Sequence, residues 1–236
     1  MQRKYLAFDI ETAKDVPGED FNWKPHRPLG ICCAAALAGD APQPIVWHGK
    51  EGAKFAPRLS QSEARRIVEE LERFVADGYT VLTWNGLGFD FDVLAEEADA
   101  RERCRTLARN HVDMMFHFVC LKGFPVALDK AAAGMGIPGK PAGMSGVLAP
   151  RLWAQGRCQD VLDYVSHDVR IALQVGQKCE QQGRVNWITS KGTRSSADLP
   201  GGWLTVQEAV ALPLPDTSWM DRALPRTNFT GWLTGR

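Results

Sequence analysis

Four acidic side chains stand at the ends of apolar stretches in this chain: Asp9 and Glu11 in LAFDIET, Asp90 in NGLGFD and Asp168 in YVSHD. An isolated buried carboxylate is costly, and four gathered together are untenable unless cations neutralise them. Acids this far apart in sequence act jointly only in a fold that aims each of them, from a strand or a helix, at one point. The chain is therefore expected to fold around a divalent-metal site and to carry phosphodiester chemistry there.

The segments between the acids read as an α/β domain. Residues 4–10, KYLAFDI, have the character of a buried strand, and a loop carrying Pro17, Gly18, Pro25 and Pro28 leads to a second apolar run, LGICCAAAL. PIVWHG is expected to be a third strand. Ser60 and Glu63 have capping-box spacing, and Ile67, Val68, Leu71, Phe74 and Val75 recur at helical intervals, predicting a helix over 61–77 that ends at Gly78. YTVLTWN follows as a strand, a second helix is expected through FDVLAEEADARERCRTLARN, and HVDMM reads as a short strand or a helix entry. Residues 134–150, rich in Gly and Pro, are expected to form a long irregular loop. A last helix is predicted over 159–182, with Val161, Tyr164, Val165, Asp168, Ala172 and Val175 near one face. The domain is placed at 1–183, and residues 184–236, with Trp187, Trp203, Trp219 and Trp232, are expected to be a C-terminal extension packing on the core.

Spacing gives the acids common faces. Side chains two apart on a strand point the same way, so Asp9 and Glu11 project together. Residues four apart stack on one helix face, which pairs Tyr164 with Asp168. Asp90 follows an Asn-Gly turn at a strand-to-helix junction, where a carboxylate reaches outward. Oxygen ligands suit hard cations such as Mg²⁺ or Mn²⁺, and no Cys/His cluster has the spacing of a zinc site.

Composition narrows the partners. Formal net charge is zero over 236 residues, which argues against a protein that coats nucleic acid through a large basic surface. It leaves room for an enzyme that takes a strand end, since bound cations supply local positive charge. The six cysteines show no C-x-x-C pairing and read as reduced packing residues. No stretch approaches the roughly 20 apolar residues of a membrane span, so no membrane partner and a cytoplasmic address are expected.

Asp-x-Glu on a first strand, Asn-x-x-x-Phe-Asp after a later one and Tyr-x-x-x-Asp on a last helix resemble the three motifs of the DEDD superfamily of 3′ to 5′ exonucleases, in its tyrosine variant. The histidine variant needs His five residues before the final acid, where Asp163 stands; His167, next to Asp168, points off the shared face. The stretch from Gly136 to Asp168 is similar to that of predicted exonucleases related to the proofreading domain of family B DNA polymerases. The resemblance covers about 4–180 and excludes the tail. It implies a ribonuclease H-like fold with a mixed central sheet flanked by helices, and two Mg²⁺ or Mn²⁺ ions. Asp9 would bridge both, Glu11 and Asp168 would complete one shell and Asp90 the other, and Tyr164 would orient the attacking water. Thr12, Asn85, Phe89 and Lys140 would meet the substrate. The expected substrate is single-stranded DNA or a frayed 3′ end, the products nucleoside 5′-monophosphates, with a polymerase or repair partner in trans.

Other readings stand beside these. Asp-x-Glu alone is common at strand ends, and a helical Tyr is often a core residue with its hydroxyl satisfied. Asp92 is read as a helix N-terminal charge and Asp113 as a cap or a supporting acid. Arg101, Arg103, Arg105 and Arg109 alternate with acids and are expected on a solvated helix face. The tail tryptophans either pack or stack bases. RNA in place of DNA, and a nucleic-acid-binding or scaffold protein without turnover, remain the alternative functions.

Overall fold

The computed structural model describes residues 3–17, 22–139, 146–221 and 223–235. The chain begins with β1 (Lys4–Thr12), β2 (Ile31–Ala38) and β3 (Ile45–His48), followed by a small ribbon of β4 (Lys50–Glu51) and β5 (Lys54–Phe55). Then come α1 (Gln61–Ala76), β6 (Tyr79–Thr83), α2 (Asp90–Glu97), α3 (Arg101–Asn110), β7 (Val112–Asp113), α4 (Met114–Lys122), α5 (Leu128–Gly134), α6 (Ala149–Ala154) and α7 (Cys158–Gln182). The tail adds a hairpin, β8 (Arg184–Ile188) and β9 (Arg194–Asp198), and short helices α8 (Val206–Ala209) and α9 (Thr227–Thr230).

The central sheet has five strands in the order β3-β2-β1-β6-β7. β1 pairs antiparallel with β2 and parallel with β6, which is in turn parallel to β7, so the sheet is mixed as expected. Strand alternation divides the core in two. Leu6, Phe8 and Ile10 pack with Ile67, Val68 and Leu71 of α1 on one face. Tyr5 and Ala7 face the other way, with Cys33, Ala35 and Leu37 of β2, against Val165, Val169, Ala172 and Val175 of α7. The small residues of β2 let α7 lie close to the sheet, and at Gly176 a β-carbon would come within 2.5 Å of Leu82 Cδ2.

Helix α1 starts as its sequence dictates. The Ser60 side chain accepts from Glu63 N while the Glu63 carboxylate accepts from Ser60 N at 2.7 Å. The single helix expected after Asp90 is instead two, broken where Asp99 takes a left-handed φ of 47°. In one continuous helix Leu94 and Leu107 would lie on nearly opposite sides, and the turn brings both into the same core. The irregular segment expected over 134–150 also gives way to helix at its end, with Pro150 in the first turn of α6, where its missing N–H costs nothing.

The tail packs on both core clusters. Trp203 is fully buried and its Nε1 donates to Gly176 O at 3.1 Å, while Trp232 Nε1 donates to Leu87 O at 2.7 Å. Of the arginines expected on a solvated face of α3, Arg101 is exposed and Arg103 pairs with Glu72 near the surface, but Arg105 and Arg109 depart from that expectation. Arg105 is buried and donates to the carbonyls of Trp232 and Gly235, and Arg109 donates to Leu233 O at 3.0 Å. Charged donors make strong hydrogen bonds to backbone carbonyls.

Candidate metal centre

The alternation that puts Ala7 toward α7 puts Asp9 and Glu11 there too, beyond the point where the apolar packing ends. Asp168 faces them from α7. One carboxylate oxygen each from Asp9, Glu11 and Asp168 lies within 4.8 Å of the others. Glu11 and Asp168 are buried and Asp9 is half-buried. Tyr164, one turn before Asp168, is buried beside them with its hydroxyl bonded to Asp168. Burial first, and then the charges of Asp168, Glu11 and Asp9, push its ionisation far above the ordinary phenol range. In the cleft as it stands, the Tyr164 hydroxyl is protonated and can donate a hydrogen bond. The cleft at this point has a volume of about 480 Å³, and among the described residues neither lysine nor arginine lines it. Three convergent carboxylates, two buried and one half-buried, with no basic neighbour among the described residues of the cleft are a donor set that fits hard divalent cations.

The fourth acid arrives from the neighbouring parallel strand. β6 ends at Thr83, beside the carboxyl end of β1, and the turn after it is held by side chains from afar. Asp113 accepts from Asn85 N at 3.0 Å, Leu87 N at 2.8 Å and Phe116 N at 2.9 Å, so one carboxylate both caps α4 and fixes the turn. That support holds Asn85 at a left-handed φ of 76°. Asp90 then opens α2, and its Oδ1 accepts from Ile10 N at 3.0 Å, tying the helix to β1 between Asp9 and Glu11. Burial raises the Asp90 carboxyl well above its usual range, to about 7, so nearby positive charge is what its ionised form lacks. Asp90 lines the same cleft but is not among the three acids that share one point.

Thr12, Asn85 and Phe89 also line the cleft, with Phe89 set edge-on to Trp23 at 5.3 Å. Lys140 lies outside the described residues. Asp92, in the first turn of α2, is turned away and pairs with Arg27 at 2.8 Å. Trp84, Met115, Leu128 and Val147 line the cleft without having been singled out from the sequence. Trp84 alone carries a signal, its place directly before Asn85; the others reach the cleft through tertiary packing. His111 and His117 are buried in the core, as residues without ligand spacing would be.

Comparison with curated proteins gives no match. Among solved structures, the family B DNA polymerase from the hyperthermophilic archaeon Pyrobaculum calidifontis aligns with a TM-score of 0.57 and 20% identity, over 76% of this chain and 25% of that one. This chain thus spans a quarter of the polymerase's length, and the likeness is one of fold. A moderately thermophilic Exonuclease I from Methylocaldum szegediense aligns at 16% identity over 77% of this chain and 41% of that one, with a TM-score of 0.38. A family model described as the RNase_H superfamily matches residues 45–177, a span that includes Asp90, Tyr164 and Asp168. More than half of the sequence lies within that match, the mixed five-stranded sheet has the corresponding architecture, and the chain belongs to the RNase_H superfamily.

Proposed function

We propose that this protein is a metal-dependent 3′ to 5′ exonuclease that hydrolyses single-stranded or frayed DNA ends to nucleoside 5′-monophosphates. The observation that carries the reading is the meeting of Asp9, Glu11 and Asp168 within 4.8 Å in a cleft lined by no basic side chain among the described residues. Asp9, Glu11 and Asp168 would hold one Mg²⁺ or Mn²⁺, and Asp9 with Asp90 a second. Such a pair supplies an activated water and stabilises the leaving 3′ oxygen. The protein's own groups do the positioning. Tyr164 would orient the attacking water through its hydroxyl, and the Ile10 N–H holds Asp90 in place. Thr12 at the end of β1, with Asn85 and Phe89 on the facing turn, would receive the terminal nucleotide, and the strained Asn85 backbone is kept ready by Asp113.

The test is degradation of a 5′-labelled single-stranded DNA oligomer with Mg²⁺ or Mn²⁺, run beside an RNA oligomer of the same sequence. Wild type is expected to give a ladder of shortening products, and Asp9→Ala and Asp168→Ala none, with their folds intact because repulsion among the acids is relieved. Tyr164→Phe should slow the reaction by less than the roughly 10²-fold of a positioned proton-transfer group. Full activity in either acid variant, or no ladder from wild type on either substrate, refutes the proposal.

A further inference from the structure

A second cavity, of about 960 Å³, lies between the segment joining α4 to α5, the β8–β9 hairpin and the stretch around residue 216 of the tail. Lys122, Lys130 and Lys191 line it, against a single carboxylate, Asp216, whose oxygen already accepts from Ser218 N at 3.0 Å. Among the described residues none of the three lysines enters an ion pair. In a chain of zero net charge, three lysines against one carboxylate make the described lining of this groove a local positive excess. Phe124 and Trp219 stand in the same groove with ring centres 6.0 Å apart, and Trp219 is 68% exposed, although every other described tail tryptophan is buried or half-buried. Trp219 donates through Nε1 to Asp216 O at 3.2 Å, which fixes the indole while leaving most of it exposed beside the lysines, an arrangement that suits a polyanion carrying flat rings.

The groove adjoins the metal cleft. Ala127 lines both, and Trp84, on the wall of the cleft, donates through Nε1 to Val126 O at 2.9 Å, fixing the partition between them. We propose that this groove carries the single strand upstream of the 3′ end, with Lys122, Lys130 and Lys191 on its phosphates and Phe124 and Trp219 as stacking faces for its bases. The inference rests on the nuclease reading of the metal centre and makes the tail a part of the substrate path.

The experiment measures anisotropy of fluorescein-labelled oligothymidylates of about 15 and about 4 nucleotides, lengths at the two ends of the usual single-strand site size. EDTA is present, so that nothing is cut. Wild type should bind the longer strand at least roughly 10-fold more tightly. The triple variant Lys122→Glu, Lys130→Glu, Lys191→Glu should erase that advantage and lower the slope of log affinity against log salt by about 2, since each phosphate contact on a single strand contributes about 0.7. Trp219→Ala, at an exposed site, should weaken binding of the longer strand by about 5-fold or more. Equal affinity for both lengths, or an unchanged slope in the triple variant, overturns the groove. Mononucleotide release by wild type with Mn²⁺ is scored separately: its absence removes the hydrolytic reading, whereas release with unaltered binding by the triple variant removes the groove alone.

Discussion

At the scale of single residues, environment divides chemically similar groups into different roles. Asp9, Glu11 and Asp168 converge, Asp92 is neutralised by Arg27, and Asp113 is consumed by three backbone amides. The histidines show the same control. His117 accepts from Leu204 N through Nδ1 at 3.2 Å and lies 5.5 Å from the Trp203 ring, and burial lowers its pKa to about 4. The unfolded chain then binds a proton that the folded one refuses between about 6.5 and 4, so stability is complete above the upper limit and is lost as pH falls toward the lower. His117→Gln keeps an acceptor for Leu204 and cannot titrate. Urea titrations at pH 7 and pH 4.5 should show wild type losing more stability than the variant, by up to about 1.4 kcal/mol per pH unit across the window. Parallel losses would mean that this imidazole does not titrate across folding.

At the scale of elements, the helices with strong periodicity and local caps, α1 and α7, were readable because everything that defines them lies within one or two turns of sequence. Asp9 with Glu11 and Tyr164 with Asp168 were readable for the same reason, since a period of two or of four fixes a shared face without knowledge of the partner. The break between α2 and α3, the short α5 and the tail hairpin were not, because each is imposed by what it packs against. The junction of α5 with β8 is the tightest of these: a β-carbon on Gly134 would lie 2.3 Å from Trp187 Cα and 2.4 Å from its N. Gly134→Ala must therefore push the helix off the hairpin, at an expected cost of about 1 to 3 kcal/mol. A fall in the urea midpoint at unchanged m-value checks this, and an unshifted midpoint would mean that the junction yields freely.

At the scale of the whole molecule, the tail belongs to the folded unit. Trp203 fills the core under α7, while Val206, Ala209, Phe229 and Leu233 complete the opposite cluster. Each large apolar side chain contributes about 1.5 to 3 kcal/mol on burial, so their joint loss rivals the 5 to 15 kcal/mol that typically holds a domain together. Truncation after Gly183 should abolish cooperative thermal unfolding and expose dye-binding apolar surface; a sharp transition in the truncated chain would show a core that stands alone. No described helix is long and apolar enough to cross a membrane. The amino-acid order by itself determined the α/β character, the main helices and strands, and the acids and tyrosine that share faces, because these depend on local periodicity and on the cost of unneutralised carboxylates. Only the tertiary structure decided that three of those acids meet within 4.8 Å, that Asp113 steadies the Asn85 turn, that Arg105 and Arg109 hold the tail, and that a lysine-lined groove adjoins the cleft. Each of these depends on the direction in which distant segments cross, and sequence spacing carries no information about distances through space.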